Sequence, residues 1–313
     1  MPDSLQQPEP QDETVFPPGV CFIDGAYTSM DQARIPVLDW GFLRSDATYD
    51  VVHVWQGRFF RLDAHVERFL NSVASLRMTL PVGRAELERI LHTLVAKAGF
   101  RDAYVEMVCT RGHSPTFSRD PREARNRFFA FAIPFGWIAS EEQRARGLDV
   151  HIAAIPRISP ESVDPTVKNY HWLDLVMGLY AAYDAGRENV VLTDGAGNVT
   201  EGPGFNLFAV KDGRATTPGR GVLQGVTRRT ALELCAELGI PAEAAPLSVE
   251  ALKASDEIFL TSTAGGPMPI TRLDGQPVGD GRPGPITAKV TALYWDKHGD
   301  PAWSTAVDYS LAG

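Results

Sequence analysis

Val167-Lys168-Asn169-Tyr170-His171-Trp172 stands near the middle of the 313-residue chain. Prolines crowd its approach: Ile155-Pro156-Arg157-Ile158-Ser159-Pro160, then Asp164-Pro165. They predict an irregular lead-in. The run behind it, Leu173-Asp174-Leu175-Val176-Met177-Gly178-Leu179-Tyr180, has helical apolar spacing and predicts a largely buried helix to about Ala185. A loop that sets a lysine against such a helix takes it partly out of water. Desolvation disfavours the ammonium, which is what a Schiff-base lysine requires. The ordinary alternative is a solvated loop lysine, and Lys168 alone does not choose between them.

Upstream, Val20–Ile23 predicts a strand, with Asp24-Gly25 turning into Ala26-Tyr27-Thr28. Arg34–Leu38 reads as a loop or edge strand, because Pro36 removes a ladder donor. Ala47–Trp55 alternates and is β-branched, a strand that turns at Gln56-Gly57 into Arg58-Phe59-Phe60. Asp63 is expected to cap a helix through Leu76, and Glu86–Ala98 is a second amphipathic helix. Ala103–Thr110 predicts a strand. Residues 111–127 are arginine-rich and irregular, and Phe128–Phe135 predicts a strand buried throughout. The pattern changes at 136–148, where a domain boundary is expected. Beyond it, strands are predicted at Val150–Ile155, Asn189–Thr193, Asn206–Val210 and Glu257–Thr261, and helices at Thr227–Leu238 and Pro285–Lys297. Strands interleave with helices in both halves, so the fold class is α/β or α+β.

Composition narrows the function. Hydrophobic residues are 44% of the chain and the net charge is −9, which argues against a nucleic-acid binder with a basic face. Cys21, Cys109 and Cys235 are odd in number and lack metal spacing, which predicts neither a disulfide framework nor a metal site. Residues 1–19 are polar and proline-rich, a tail without the basic start and apolar core of a signal peptide. No apolar run reaches the length of a membrane span. A soluble, cytoplasmic protein is expected.

Four further features gather around Lys168. Glu201 opens Glu201-Gly202-Pro203-Gly204-Phe205-Asn206, a carboxylate followed by glycine-rich backbone. Leu223-Gln224-Gly225-Val226-Thr227 puts backbone N–H groups and a hydroxyl at a helix start, an anion site. Ser262-Thr263-Ala264-Gly265-Gly266 is a second such turn. Arg68, on the first long helix, offers a phosphate fork. Taken singly, these are a turn, a helix cap, a strand end and a surface arginine. Together they supply a lysine for an aldehyde, an acid for a ring nitrogen and donors for a phosphate, which are the needs of pyridoxal phosphate.

These segments resemble the motifs of the class IV aminotransferases, the fold-type IV pyridoxal 5′-phosphate enzymes, over nearly the whole chain from Ile23 to about Tyr309. Leu38-Asp39-Trp40-Gly41-Phe42-Leu43-Arg44-Ser45-Asp46-Ala47-Thr48-Tyr49-Asp50, Tyr104-Val105-Glu106, Thr110-Arg111-Gly112 and Tyr294-Trp295 are most similar to the (R)-selective amine transaminases. The resemblance implies a small N-terminal domain at 20–137, a linker at 138–148 and a larger domain with a barrel-like sheet at 149–313. It implies homodimers in which the partner closes each site. Lys168 would be the catalytic lysine. Arg68, Glu201, Gly225, Val226, Thr227, Ser262 and Thr263 would bind the cofactor. Arg44, Tyr49, Val51, Tyr104, Glu106, Arg119, Trp172 and Ala264 would face the substrates, a primary amine and a keto acid such as pyruvate. A D-amino acid or branched-chain aminotransferase is the alternative, and a cofactor-binding relic without turnover the non-enzyme one. Arg44 stands where many amine transaminases carry histidine. Phe117 occupies the aligned place of a carboxylate-binding arginine, with Arg119 and Arg122 nearby.

Overall fold

A computed structural model describes residues 16–313, so most of the expected 1–19 tail lies outside the described residues. The chain begins with β1 (Val20–Ile23), β2 (Ala26–Ser29), the short α1 (Trp40–Arg44), β3 (Ala47–Trp55) and β4 (Arg58–Phe60). Then come α2 (Leu62–Ser75), α3 (Arg84–Ala98), β5 (Ala103–His113) and β6 (Arg125–Pro134). Arg34–Leu38 forms no strand.

Central in this half is β3, paired antiparallel with β4 and β5 and buried along nearly its whole length. Alternation sorts its side chains. Val52 and Val54 join the core built with α2 and α3, whose Val66, Phe69, Leu87, Ile90, Leu91 and Leu94 pack there. Tyr49 and Val51 face the other way, into an aromatic cluster with Tyr104, Tyr170 and Trp172. Each fully buried large apolar side chain contributes about 1.5–3 kcal/mol.

Two expectations fail here for local reasons. Asp63 does not cap α2. Arg61 occupies the cap in the left-handed region (φ 57°), because the chain turns straight from β4 into the helix. Asp63 instead sits in the first turn, where a negative charge suits the helix dipole. Residues 128–135 are not buried throughout: Phe128, Ala130 and Ala132 are buried, whereas Phe129, Phe131 and Ile133 are only half-buried. Helices cover only one face of that strand.

The second half continues with α4 (Glu141–Arg146), β7 (Leu148–Pro156), α5 (Leu173–Asp184), β8 (Asn189–Thr193), β9 (Asn206–Lys211), β10 (Arg214–Pro218) and α6 (Val226–Glu237). It closes with β11 (Ala242–Ala245), α7 (Val249–Lys253), β12 (Glu257–Ser262), β13 (Gly266–Leu273), β14 (Gln276–Pro277), α8 (Pro285–Asp296) and β15 (Ser304–Ala306). Its sheet runs β11-β10-β9-β12-β13-β7-β8, with β14 on β13. The first sheet runs β15-β4-β3-β5-β6-β1-β2. The last strand of the chain therefore crosses back to the N-terminal sheet and ties the halves together.

Helix α5 departs from its predicted burial. Leu175, Gly178 and Ala182 pack against β7 and β8, but Leu173 (81% exposed), Met177 (53%), Tyr180 (59%) and Tyr183 (56%) stand open. Its apolar residues occupy two faces, and the described residues cover only one. Among the described residues, no helix is long and apolar enough to cross a membrane.

Candidate active site

A cleft opens between the two sheets, lined by Tyr49 and Arg68 from one side and Lys168, Glu201, Thr227 and Thr263 from the other. The loop before α5 enters it and delivers Lys168. That loop is fastened to β3: the Thr48 hydroxyl donates to the Lys168 carbonyl at 2.6 Å, and the Tyr49 N–H donates to the same oxygen at 3.2 Å. The Lys168 N–H points to Ser72 Oγ of α2 at 3.4 Å. The lysine is thus a loop residue held like the end of a strand, with Nζ 4.2 Å from the centre of the Tyr49 ring.

Glu201 lies across the cleft, 6% exposed. Its Oε2 accepts from the Leu223 N–H at 2.9 Å and faces Asn206 Nδ2 at 3.4 Å. Its Oε1 accepts from Arg157 Nε at 3.2 Å. Burial pushes its pKa up, against the pull of Arg157, the Leu223 N–H and Lys168. Two glycines make this packing possible. A Cβ on Gly202 would meet the Phe205 ring at 2.1 Å, and one on Gly225 would meet Asn206 Oδ1 at 2.1 Å.

At the other end, Gly225 is the N-cap of α6, and no side chain caps it. Gly225, Val226 and Thr227 of the first turn line that end of the cleft together with Thr263 and Arg68. Thr227 is therefore a first-turn residue and not the cap. Arg68 is gripped from behind: Nε and Nη2 meet the two oxygens of Asp50 at 2.7 and 2.8 Å. Asp50 is fully buried, which opposes its charge, yet Arg68 and His65 hold its carboxyl well below the usual range. The hydroxyl of Ser262, expected at the phosphate, is committed to the turn. It donates to the Gly204 carbonyl at 3.0 Å and accepts from the Ala264 N–H at 3.2 Å. Thr261, one residue earlier, lines the cleft with a buried hydroxyl that has no partner.

Of the residues expected at the substrate, Tyr49 and Trp172 line the cleft. Val51, Tyr104 and Glu106 stand one layer behind. Glu106 accepts from Tyr170 at 2.6 Å and from Tyr104 at 2.9 Å, and Tyr170 stacks on Tyr49 with ring centres 4.3 Å apart. Burial raises the Glu106 pKa, and the two hydroxyls and Lys168 oppose that rise. Ala264 does not line the cleft, because its main chain is tied to Ile138 and Ser262. Arg44 stacks over Trp40 at 3.7 Å on the exposed end of α1, outside the cleft. Arg119 is exposed on the 114–124 loop and does not reach the cleft of its own chain either, because that loop runs beyond the end of β5. Sequence reasoning passed over Arg157, Asp174, Tyr170 and Asp50 as site residues. Tyr170 and Asp50 stand inside quoted segments, but neither they nor Arg157 and Asp174 show a role until their side-chain partners are seen.

A lysine on one wall, an ionisable carboxylate at one end and a helix N-terminus with hydroxyls and an arginine at the other fit an aromatic aldehyde phosphate. The unpartnered Thr261 hydroxyl adds a donor on the wall. This donor set defines a pyridoxal-phosphate enzyme. The amino-transferase class IV family pattern matches residues 47–273, and the chain belongs to that family. It is 30% identical over 278 residues to a putative branched-chain-amino-acid aminotransferase of Methanocaldococcus jannaschii, covering 88% of this chain and 95% of the relative. It is also 30% identical over 277 residues to the D-alanine aminotransferase of Bacillus licheniformis, covering 86% and 94%. Among solved structures it is similar to the T.th. branched-chain amino acid aminotransferase with pyridoxamine 5′-phosphate, with a TM-score of 0.87 and 25% identity, covering 93% of this chain and 99% of that one. The cofactor that goes with this family is pyridoxal 5′-phosphate, and the residues of the cleft suit it.

Proposed function

We propose that this aminotransferase acts on primary amines of (R) configuration and uses a keto acid such as pyruvate as acceptor. The supporting observation is the charge of the cleft. Of its three cations, Arg68 is opposed by Asp50, and Arg157 by Asp174 and Glu201, which leaves Lys168 for the aldehyde. Behind Tyr49 the wall carries Glu106 rather than an arginine. A donor carboxylate against this wall would lie unpaired, and burying an unpaired charge is costly. An uncharged donor avoids that cost.

In this reading Lys168 binds the cofactor aldehyde. Its free amine would take the proton from the substrate carbon and return it, as general base and acid. Glu201 holds a proton at the pyridine nitrogen. Arg68, the α6 N-terminus and Thr263 hold the phosphate. The bound cofactor supplies an electron sink. The working unit is a homodimer joined through the open face of α5. Three buried free thiols suit a reducing, cytoplasmic setting.

A second reading, transamination of D-alanine or branched-chain amino acids, is favoured by the names of the relatives. Rates for the two enantiomers of 1-phenylethylamine, D-alanine and L-leucine, each with pyruvate or 2-oxoglutarate, separate them. The proposal expects the (R)-amine to be fastest. A higher kcat/KM for either amino acid would replace it by the second reading, and preference for the (S)-amine would refute the stereochemical part.

A further inference from the structure

Arg157 belongs to no motif, yet among the described residues it is the only group that bridges two carboxylates at the cleft. Its Nε donates to Glu201 Oε1 at 3.2 Å and its Nη1 to Asp174 Oδ2 at 2.6 Å, with 9% of its side chain exposed. Asp174 is fixed in turn. Its Oδ2 also accepts from the Ile158 N–H at 2.7 Å, and it lies in the first turn of α5. The strand end carrying Arg157 is held too, since its N–H donates to the Thr193 carbonyl at 2.7 Å. Every part of the bridge is anchored, so its geometry exists before any ligand arrives.

The charges have a definite sum. Asp174, Arg157 and Glu201 together carry one net negative charge, which one protonated pyridine nitrogen would neutralise. Without Arg157, Glu201 would be a buried carboxylate with two weaker donors, and burial would drive it towards the protonated form. A protonated Glu201 cannot hold a proton on a ring nitrogen. Without the guanidinium, the two carboxylates would also repel each other across a dry gap.

We infer that Arg157, itself set by Asp174, is a positioning residue that keeps Glu201 ionised and aimed into the cleft, so that the site is charged for a pyridinium before the cofactor binds. The inference rests on the proposed role of Glu201. The other charged groups bearing on Glu201 are Lys168 from the opposite wall and Arg228 from α6, whose guanidinium is already bonded to Thr217, Gln224 and the Pro218 carbonyl. Neither makes a hydrogen bond to Glu201, so neither substitutes for the bridge.

The test is a double-substitution cycle with Arg157→Met, Glu201→Gln and the pair, plus Arg157→Lys as the charge-keeping variant. Two quantities are read from about pH 5.5 to about pH 9, a range across which a buried carboxylate can titrate. One is kcat of the holoenzyme. The other is the affinity of the apoprotein for pyridoxal phosphate, followed by tryptophan fluorescence. In Arg157→Met both should weaken as pH falls, with an acid limb at higher pH than in the parent, and raising the pH should restore them. Arg157→Lys should move the limb only part of the way. In the Glu201→Gln background, Arg157→Met should change kcat less than about twofold, because coupled residues are non-additive. A loss of equal size at every pH and in both backgrounds would overturn the inference and leave Arg157 a packing residue. If Glu201→Gln alone turned over at the parental rate, the Glu201 reading would fall, and this one with it.

Discussion

The ammonium of Lys168 sits over the face of Tyr49, 4.2 Å from the ring centre, and that ring is backed by Tyr170. The lysine is thereby fixed at both ends, its carbonyl by β3 and its tip by the same strand. Lys168→Ala should abolish turnover while leaving cofactor binding through the phosphate groups. Borohydride reduction of the holoprotein should label the peptide that carries Lys168, and a label on any other lysine would rule out its role. Tyr49→Ala removes the ring beneath the ammonium. With the amine no longer held in place against the ring, kcat should fall, by up to about 10²-fold.

Much of this site was legible because its chemistry demands particular residue types in local clusters. Glu201-Gly202 and Gly225-Val226-Thr227 are contiguous, and backbone sterics leave little choice at Gly202 and Gly225. Strand β3 was readable from its alternation, although the alternation of exposure it suggests is absent because the helices bury one face and the cleft the other. What stayed hidden depends on contacts across long stretches of sequence. Arg157 finds Glu201 44 residues away, and His53 finds His298 across 245. No periodicity records such pairs. The exposure of one face of α5 escapes the sequence for a related reason. Its apolar residues imply cover, but not that the same chain provides it.

On that open face, Leu173, Met177, Tyr180 and Tyr183 form an exposed apolar strip along one helix, the kind of patch that marks an interaction surface. Sedimentation or light scattering should find a dimer for the parent chain. Met177→Glu with Tyr180→Glu places two charges on the strip and should shift the protein to monomer, with the helix content by circular dichroism unchanged. A parent chain that is monomeric at micromolar concentration would refute the α5 interface.

The acceptor carboxylate needs a cation, and among the described residues those of the cleft are already engaged: Arg68 by Asp50, and Arg157 by Asp174 and Glu201. On the 114–124 loop, Arg122 is already forked onto Asp120, its Nε 2.9 Å from Oδ1. Arg119 is exposed and lies two residues from Phe117, which holds a left-handed conformation (φ 59°) and is 81% exposed. Arg119 is therefore the better candidate to meet a keto acid, from this chain or its partner. Arg119→Ala should raise the pyruvate KM, by the equivalent of about 2–5 kcal/mol if the pair is buried. The half-reaction with amine, followed by bleaching of the cofactor band, should change little. If Arg119→Ala and Arg122→Ala both left pyruvate kinetics intact while Arg44→Ala raised the KM, the cation would be Arg44.

Acid should weaken the fold through a pair of histidines. His53 and His298 are both buried, with their Nε2 atoms 2.7 Å apart, among Phe60, Trp295 and Tyr294. His298 Nδ1 lies 2.9 Å from the Tyr294 carbonyl, which can only accept, so Nδ1 carries the proton. In a neutral pair, His53 Nε2 must then donate to His298 Nε2, which leaves His53 Nδ1 buried without a partner, as found. A proton added to His298 Nε2 would put two N–H groups face to face, and one added to His53 Nδ1 would leave a buried N–H without a partner. Burial pushes His298 down to about 4, against the pull of the Tyr294 and Trp295 carbonyls. Burial, with His298 and His65 adding to it, takes His53 well below its ordinary value. In the unfolded chain each titrates near about 6.5. Between these values the unfolded chain binds more protons, so stability rises with pH. The contribution is complete above about pH 6.5 and is lost as pH falls through about 4, amounting to about 3 kcal/mol for His298 alone. Urea unfolding at about pH 7, 5.5 and 4.5 should show this decline. His298→Asn keeps a donor for the Tyr294 carbonyl but does not titrate. It should be less stable at neutral pH, yet lose less stability on acidification than the parent. An equal acid slope in parent and variant would place the pH dependence elsewhere, on carboxylates such as Asp50.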